Sequence, residues 1–233
     1  MATKVKSNTM NLSKKTIDIL KNFASINTNI CIQPGNKLIT LSPTMNIMAE
    51  AVVDERFEQD VRIPDINDFL TTIAIAESSE LVFEDEHILV GNGDTAQYPY
   101  GDPAVVKAVS KKLTMPDIVA TIDLSAKQLA KIMKASAAQR LPNLKIRSCG
   151  DGKAEAVVFD KTLPKSITHK LTLEADYEES FSVSFKVDAL KFIPGDYTLE
   201  ISKNIVSRFS HKTEDIKYFV AMDYKSQEET DEE

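Results

Sequence analysis

The residues with the clearest capacity for chemistry are lysines repeated along a predicted helix. Lys127, Lys131 and Lys134 follow one another at spacings of four and three residues, which places them on one helix face. Arg140 follows, and residues 125–140 contain no acid, so the segment has a formal charge of +4. Such a row can contact successive phosphates without reading sequence, because Lys lacks the planar fork with which Arg recognises a guanine edge.

A second basic face is predicted near the start of the chain. Lys14, Lys15 and Lys21 surround a single acid, Asp18, on another predicted helix. Residues 50–90 show the opposite balance, with twelve acidic and two basic residues, a formal charge of −10. Any one basic face is readily explained as solvated surface, but two at matching places in a repeated chain favour contact with phosphates.

Both faces depend on amphipathic helices that begin alike. Ser13 and Ser125 each follow a Leu and are predicted N-caps, and they lie 125 − 13 = 112 residues apart. The predicted apolar sides are Ile17, Leu20, Phe23 and Ala24 in the first helix, and Leu129, Ile132, Met133 and Ser136 in the second. Strands, a second helix (65–76 and 188–192) and further strands follow in each half, which indicates an internal duplication of an α+β unit.

Breakers and charge runs divide the chain. Residues 91–103 hold three Gly and two Pro, which is typical of a linker. The last eight residues hold five acids and no base, which favours a solvated, disordered segment; without them the net charge changes from −7 to −2. The predicted divisions are a flexible extension at 1–10, a first domain at 11–92, a linker at 93–117, a second domain at 118–225 and an acidic tail at 226–233.

No residue pattern indicates catalysis, a metal or a cofactor. Cys31 and Cys149 are too far apart for zinc-ligand spacing, form no disulfide framework, and are expected to be buried. His87, His169 and His211 belong to no catalytic or metal motif, and no phosphate-binding glycine loop occurs. No apolar run reaches membrane-spanning length and the first residues are not a secretory signal, so we predict a non-enzymatic protein of a reducing cytoplasm. An enzyme with an unfamiliar site stays open.

Several segments together resemble a known family. The opening reads Leu12-Ser13-Lys14-x-Thr16-x-x-x-Leu20-Lys21-Asn22-Phe23-Ala24-Ser25-Ile26-Asn27. It resembles the start of the DNA polymerase sliding clamps of large tailed bacteriophages. Shorter pieces follow in the family's order: Asp65-x-Asn67-x-Phe69-Leu70, Tyr98-Pro99-x-x-Asp102-Pro103, Pro194-Gly195-Asp196-Tyr197 and Tyr218-x-Val220-Ala221.

The resemblance implies an α+β DNA-clamp fold of two similar domains, each with two helices against antiparallel sheets. It implies a homotrimeric ring with helices lining the hole, sheets forming the wall and duplex DNA threaded through. Such a clamp has no enzymatic activity and needs no cofactor. It tethers the replicative polymerase, is loaded by an ATP-driven clamp loader, contacts late-transcription factors, and acts in the cytoplasm of the infected bacterium.

The basic residues and the resemblance together predict two sets of site residues. The DNA-facing set is Lys14, Lys15, Lys21, Lys127, Lys131, Lys134, Arg140 and Lys191. The second helix of the first half offers Asn67, Asp68, Thr71 and Thr72 but no base, so it is expected to contribute little. The set predicted to receive the polymerase C-terminal peptide is Tyr98, Pro99, Tyr100, Val105 and Val106.

Two alternatives remain open from the sequence. The aromatic segment near the linker is also explained by packing on its own domains, which is the more usual role of buried aromatic side chains. The duplication by itself also suits a non-catalytic interaction protein, such as a virion or scaffold module with the same repeated fold.

Overall fold

The structure is a computed structural model that describes residues 8–110, 113–115, 117–163, 168–203 and 206–225. The described residues divide into two compact units, the first formed by those within 8–43 and 49–110, the second by those within 44–48 and 113–225. The described elements of the first half are β1 (Asn8–Asn11), α1 (Lys14–Ala24), β2 (Ile30–Ile32), β3 (Gly35–Leu41), β4 (Ile47–Phe57), β5 (Val61–Ile63), α2 (Ile66–Ile75), β6 (Glu80–Phe83), β7 (His87–Val90) and β8 (Ala96–Pro99).

The second half repeats much of this order. Its described elements are β9 (Ile118–Leu124), α3 (Ala126–Gln139), β10 (Asn143–Gly150), β11 (Lys153–Phe159), β12 (His169–Tyr177), β13 (Ser182–Lys186), a 3-10 helix (Val187–Ala189), β14 (Tyr197–Ser202), β15 (Val206–His211), β16 (Ile216–Ala221) and β17 (Asp223–Lys225). Each half thus has a strand, a helix, four strands, a helical segment and three strands, before β17 is added. The order of elements supports the predicted duplication.

Strand pairing repeats as well. In the first unit the order β1-β6-β7-β8 forms an antiparallel sheet and β2 pairs with β5. In the second unit the strands run β17-β13-β10-β11-β12-β9-β14-β15-β16, which contains the corresponding order β9-β14-β15-β16 and the corresponding pair β10 and β13. In both units, therefore, the strand that follows the second helical segment pairs with the first strand of the unit: β6 with β1, and β14 with β9.

Alternation explains the burial of the sheets. In β13 Val183 and Phe185 are buried, and in β16 Ile216, Tyr218 and Val220 are buried, as the period of two requires. Phe219 on the other side of β16 is buried as well. The core of the first unit includes Ile19, Phe23, Leu38, Val53, Ile66, Phe69 and Ile88. The core of the second unit includes Ile122, Leu144, Ile146, Tyr197, Leu199, Phe209 and Tyr218.

The predicted fourth helix, at 188–192, is wrong in type, because the structure has only a three-residue 3-10 helix there. Phe192 is drawn into an aromatic cluster, with its ring centroid 4.6 Å from that of Tyr218. The backbone N–H of Ile193 donates to the Tyr218 hydroxyl, and the Tyr197 hydroxyl donates to the Ile193 carbonyl. Since side chains hold both backbone groups of Ile193, the segment is fixed in a non-helical conformation. Burial raises the pKa of Tyr218 to about 12, so its hydroxyl remains protonated.

Two predicted irregular segments contain strands. Residues 8–10 of the predicted flexible extension belong to β1, which pairs with β6 from Asn8↔Phe83 to Asn11↔Glu80. Residues 96–99 of the predicted linker form β8, which pairs with β7. Both strands are short and carry polar residues, so neither shows the apolar alternation by which a strand is predicted. Residues 1–7 and the acidic tail at 226–233 lie outside the described residues.

Candidate nucleic-acid interface

Helix α3 presents its lysines on the side opposite its buried residues. Leu129 and Ile132 are 7 % and 2 % exposed, whereas Lys127, Lys131 and Lys134 are all exposed. Within the part of the chain that the structure describes, none of these three lysines has a carboxylate partner. Helix α3 packs on β11 and β12, which leaves the lysine side directed away from the sheet. We define this row of three lysines as the α3 basic face.

The start of α3 is fixed by two devices. Ser125 and Gln128 form a reciprocal capping box, in which the Gln128 N–H donates to Ser125 Oγ and the Ser125 N–H donates to Gln128 Oε1 at 2.9 Å. The Asp196 carboxylate accepts a further hydrogen bond from the Ala126 N–H at 2.7 Å. A carboxylate at this position also interacts favourably with the positive end of the helix dipole.

The loop that carries Asp196 is held by close packing. A Cβ atom at Gly195 would collide with the imidazole of His211, so this position needs glycine. His211 Nδ1 accepts from the backbone N–H groups of Thr213 and Glu214, and its ring packs edge-on against Tyr197. His211 therefore has a structural role here, in keeping with its lack of a catalytic motif.

Arg140 ends α3 in an unusual conformation. Its φ of +56° places it in the left-handed region, which is uncommon for residues other than glycine. The Leu141 N–H bonds the Ser136 carbonyl, and Ser136 Oγ donates to the Leu141 carbonyl at 2.6 Å. This closed turn leaves Arg140 exposed one residue beyond the helix.

Helix α1 carries a more mixed face. Lys14 and Lys21 are exposed and Lys15 is partly buried, while Lys21 Nζ lies 3.4 Å from Asp18 Oδ1 in an exposed ion pair. The predicted cap is present, because Ser13 Oγ accepts from the Thr16 N–H. The buried side is Thr16, Ile19, Leu20 and Phe23; Ile17 and Ala24, predicted to be apolar-side residues, are only partly buried.

The sequence analysis missed the group that anchors α1. Glu55, on β4, is only 9 % exposed, and its carboxylate accepts from the Ser13 N–H and the Thr16 hydroxyl. Burial alone would raise the pKa of Glu55, but these hydrogen bonds outweigh burial and lower it below the ordinary value of 4.5. The available signals were a threonine on an apolar helix face and a glutamate on the buried side of β4, in line with Ala51, Val53 and Phe57.

The other helical segments offer less to an anion. Helix α2 exposes Asn67, Asp68 and Thr71 and has no base, in agreement with the sequence. It also exposes 78 % of Ile75. Lys191 is exposed, but it follows the 3-10 helix and does not belong to a regular helix face.

The predicted peptide-binding residues divide into buried and exposed sets. Tyr98 is 8 % exposed, its ring packs against Phe69, and its hydroxyl donates to the Asp65 carbonyl at 2.7 Å, beside the N-cap of α2. Val106 is 1 % exposed. Tyr98 and Val106 thus pack within their own unit, the alternative left open by the sequence. Pro99 and Val105 are exposed, and Tyr100 is partly buried.

The cysteines and histidines form no common site. Cys31 is buried as predicted, and burial raises the pKa of its thiol. Cys149 is exposed, contrary to prediction, because the β10–β11 register shifts between Ser148 and Gly150 and interrupts the alternation there. Among the described residues, no group of three or more His, Cys, Asp and Glu could hold a metal ion. No described helix is long and apolar enough to cross a membrane.

Comparison with known proteins places these features in a family context. Residues 11–106 match the family model described as DNA polymerase processivity factor. The sliding clamp of Vibrio phage KVP40 is 28 % identical over 91 % of this chain and 98 % of its own length. The sliding clamp of Enterobacteria phage T4 is 28 % identical over 93 % of this chain and 98 % of its own length. This chain is similar to the phage sliding clamps over nearly their whole length.

Solved structures confirm the predicted clamp fold. The proliferating cellular nuclear antigen of Entamoeba histolytica superposes with a TM-score of 0.67 at 15 % identity, over 89 % of this chain and 94 % of that one. The DNA polymerase III subunit beta of Pseudomonas aeruginosa gives 0.68 at 13 % identity, over 96 % of this chain and 68 % of that one. At these identities the likeness concerns the fold. The residues that match the family model include α1 and the anchoring Glu55, whereas the α3 basic face lies beyond them.

Proposed function

We propose that this protein is a processivity clamp that encircles duplex DNA and tethers a phage replicative DNA polymerase. The observation that carries the proposal is the α3 basic face, three exposed lysines that pair with no carboxylate in the described part of the chain, on a helix whose N-terminus is fixed twice. The relation to phage sliding clamps supplies the context in which such a face meets DNA.

The chemistry of the face suits movement along DNA. Ammonium groups contact phosphates as point charges, so each position along the duplex offers nearly the same energy. The residues proposed to face DNA are Lys14, Lys15, Lys21, Lys127, Lys131, Lys134, Arg140 and Lys191. Glu55 and Asp196 act as positioning residues, because each fixes the start of a lysine-bearing helix.

The duplicated fold supports a ring of three chains. Two units per chain would give six repeats around a hole, and the mass of one chain, 25.9 kDa, corresponds to 3 × 25.9 = 77.7 kDa for a homotrimer. Light scattering over a dilution series measures this mass directly. A monomer at all concentrations up to about 100 μM, far above typical subunit affinities, would contradict the ring.

The partners belong to the same proposal. The polymerase C-terminal peptide would contact the segment of Tyr98, Pro99, Tyr100, Val105 and Val106 through its exposed members, Pro99 and Val105, while Tyr98 and Val106 support it from the core. An ATP-driven clamp loader would open the ring, late-transcription factors would bind the loaded clamp, and the cytoplasm of the infected bacterium would be its location. A titration of the peptide against Val105→Ala tests the segment without removing a core side chain.

A processivity assay tests the DNA-facing role. Lys131→Glu with Lys134→Glu should shorten the products of loader-dependent synthesis, because two attractive contacts become repulsive. The matched control is Lys37→Glu with Lys153→Glu, which reverses two exposed strand lysines and changes the net charge equally. Full-length products from the α3 double variant would show that the α3 basic face is not part of the DNA interface.

A further inference from the structure

The last described strand leads directly into the most acidic segment of the chain. β17 is an edge strand, and it pairs with β13 from Asp223↔Ser184 to Lys225↔Ser182. Residues 226–233 follow it and hold five carboxylates and no base. Among the described strands, β17 has a neighbour on one side only, so the edge of the sheet lies beside the start of this segment.

The segment is long enough to reach α3. Eight residues span at most about 27 Å when extended. Helix α3 packs on β11, which is three strands away from β17 in the sheet order, or about 14 Å at the usual distance between strands. The α3 basic face is directed away from the sheet, so it lies about 15 Å above it, the layer spacing of about 10 Å plus a helix radius of about 5 Å. The straight line over about 14 Å and about 15 Å is about 21 Å, which an extended segment of about 27 Å can span.

Two basic surfaces are compared as binding sites for residues 226–233, and the α3 basic face suits the acidic segment better. A concavity of about 590 Å³ beside the end of α3 also has a basic rim, formed by Arg140, Lys161 and Lys186. Its floor, however, is apolar, and Asp160 and Asp188 lie on the same rim. Residues 226–233 contain no apolar side chain, so they match the α3 basic face, which has no acidic neighbour on its helix.

We propose that residues 226–233 compete with DNA for the α3 basic face within the same chain. The inference rests on the proposed function, in which that face contacts DNA. Tethering gives the segment an effective concentration of the order of millimolar, so a weak electrostatic contact is occupied when no DNA is present. Salt weakens the contact, because both partners are solvent-exposed charges. DNA inside a closed ring would displace residues 226–233 from the α3 basic face. Linear DNA that is not enclosed by the ring would compete poorly with these residues for the same face.

Zero-length crosslinking tests the contact without DNA. A carbodiimide joins a carboxylate to an adjacent lysine, and mass spectrometry then identifies the pair. Residues 226–233 should crosslink to Lys127, Lys131 or Lys134 at about 50 mM salt and much less at about 500 mM. Mixing isotope-labelled and unlabelled protein separates links within one chain from links between chains. Crosslinks to other lysines only, or none from this segment, would overturn the proposal.

Duplex binding tests the competition. A variant that neutralises all five acids of residues 226–233 should bind a short linear duplex about fivefold more tightly at about 50 mM salt, with little difference at about 500 mM. It carries Gln in place of Glu228, Glu229, Glu232 and Glu233, and Asn in place of Asp231. The control neutralises five exposed acids of the first unit, Glu77, Glu84, Asp85, Glu86 and Asp94, and should change affinity less than about twofold. In the Lys131→Glu and Lys134→Glu background, neutralising the segment should have no effect.

The possible failures are distinct. If neutralising residues 226–233 leaves affinity unchanged while Lys131→Glu with Lys134→Glu weakens it, the competition is wrong and the proposed function stands. If the lysine substitutions leave DNA binding unchanged although the crosslinks form, the segment contacts α3 but the DNA-facing role of α3 is wrong.

Discussion

Helices α1 and α3 lead the two repeats and start with the same serine cap, yet they differ in charge and in anchoring. Helix α1 has three lysines and Asp18, a formal charge of +2, whereas α3 has three lysines and no acid, a formal charge of +3. The buried Glu55 carboxylate anchors α1 from a strand, while the exposed Asp196 carboxylate anchors α3 from a loop. The repeats have kept the position of a basic helix while the means of holding it have diverged.

The largest expected effect is the difference in unfolding free energy lost when the anchor of α1 or the anchor of α3 is removed. Glu55→Ala leaves the Ser13 N–H and the Thr16 hydroxyl without their acceptor in a buried place, and should cost about 2–3 kcal/mol of unfolding free energy. Asp196→Ala should cost about 0.5 kcal/mol, because its carboxylate is exposed and the capping box remains. Urea denaturation of both variants measures the difference; equal losses would show that the anchors are energetically alike.

Acid should weaken the α1 anchor in particular. Because the pKa of Glu55 is lowered on folding, its contribution is complete above the ordinary value of 4.5 and is lost as the pH falls through the folded value. Glu55→Gln should therefore be less stable than wild type by about 1–2 kcal/mol at pH 7. The gap should narrow below about pH 4.5. A gap that is the same at pH 7 and pH 4 in urea titrations would contradict a charged Glu55.

Charge-reversal variants of α3 and α1 show how much each basic helix face contributes to DNA affinity. Lys131→Glu with Lys134→Glu should weaken binding of a short duplex about tenfold, which corresponds to about 1.4 kcal/mol. Lys14→Glu with Lys21→Glu should weaken it about threefold, because Asp18 already offsets part of the α1 charge. Fluorescence anisotropy at several salt concentrations gives both values. A larger loss from the α1 pair would reverse the order of the two faces.

The smallest expected effect comes from making α1 more like α3. Asp18→Asn removes the acid beside Lys21 and should tighten duplex binding about twofold at low salt, since exposed ion pairs are weak. Glu58→Gln, at another exposed acid of the first unit, is the control. Equal effects from the two substitutions would mean that only net charge matters.

Local patterns predicted the lead helices well and their anchors poorly. The caps at Ser13 and Ser125 and the lysine spacings are visible because helix periodicity acts within a few residues. Glu55 is 42 residues from Ser13, and Asp196 is 70 residues from Ala126, so neither contact has a local signature. The resemblance pieces did include Pro194-Gly195-Asp196-Tyr197, but only the fold shows that this loop caps α3.

Tertiary contacts also explain the remaining errors. The aromatic contacts of Phe192 and the two tyrosine hydroxyls override the helical pattern at 188–192. The polar β1 becomes a strand only because β6 supplies its hydrogen-bond partners. The DNA-facing set, the peptide-binding set and the domain limits remain predictions.

Retention on circular DNA tests the central claim most directly. Clamps are loaded onto nicked circular duplexes, the complexes are isolated by gel filtration, and half are then cut once with a restriction enzyme. We predict that the protein stays on the intact circles at about 200 mM salt, where phosphate contacts alone are weak, and is lost after linearisation. Equal retention on circular and cut DNA, or none on either with an active loader, would contradict a ring that encircles the duplex.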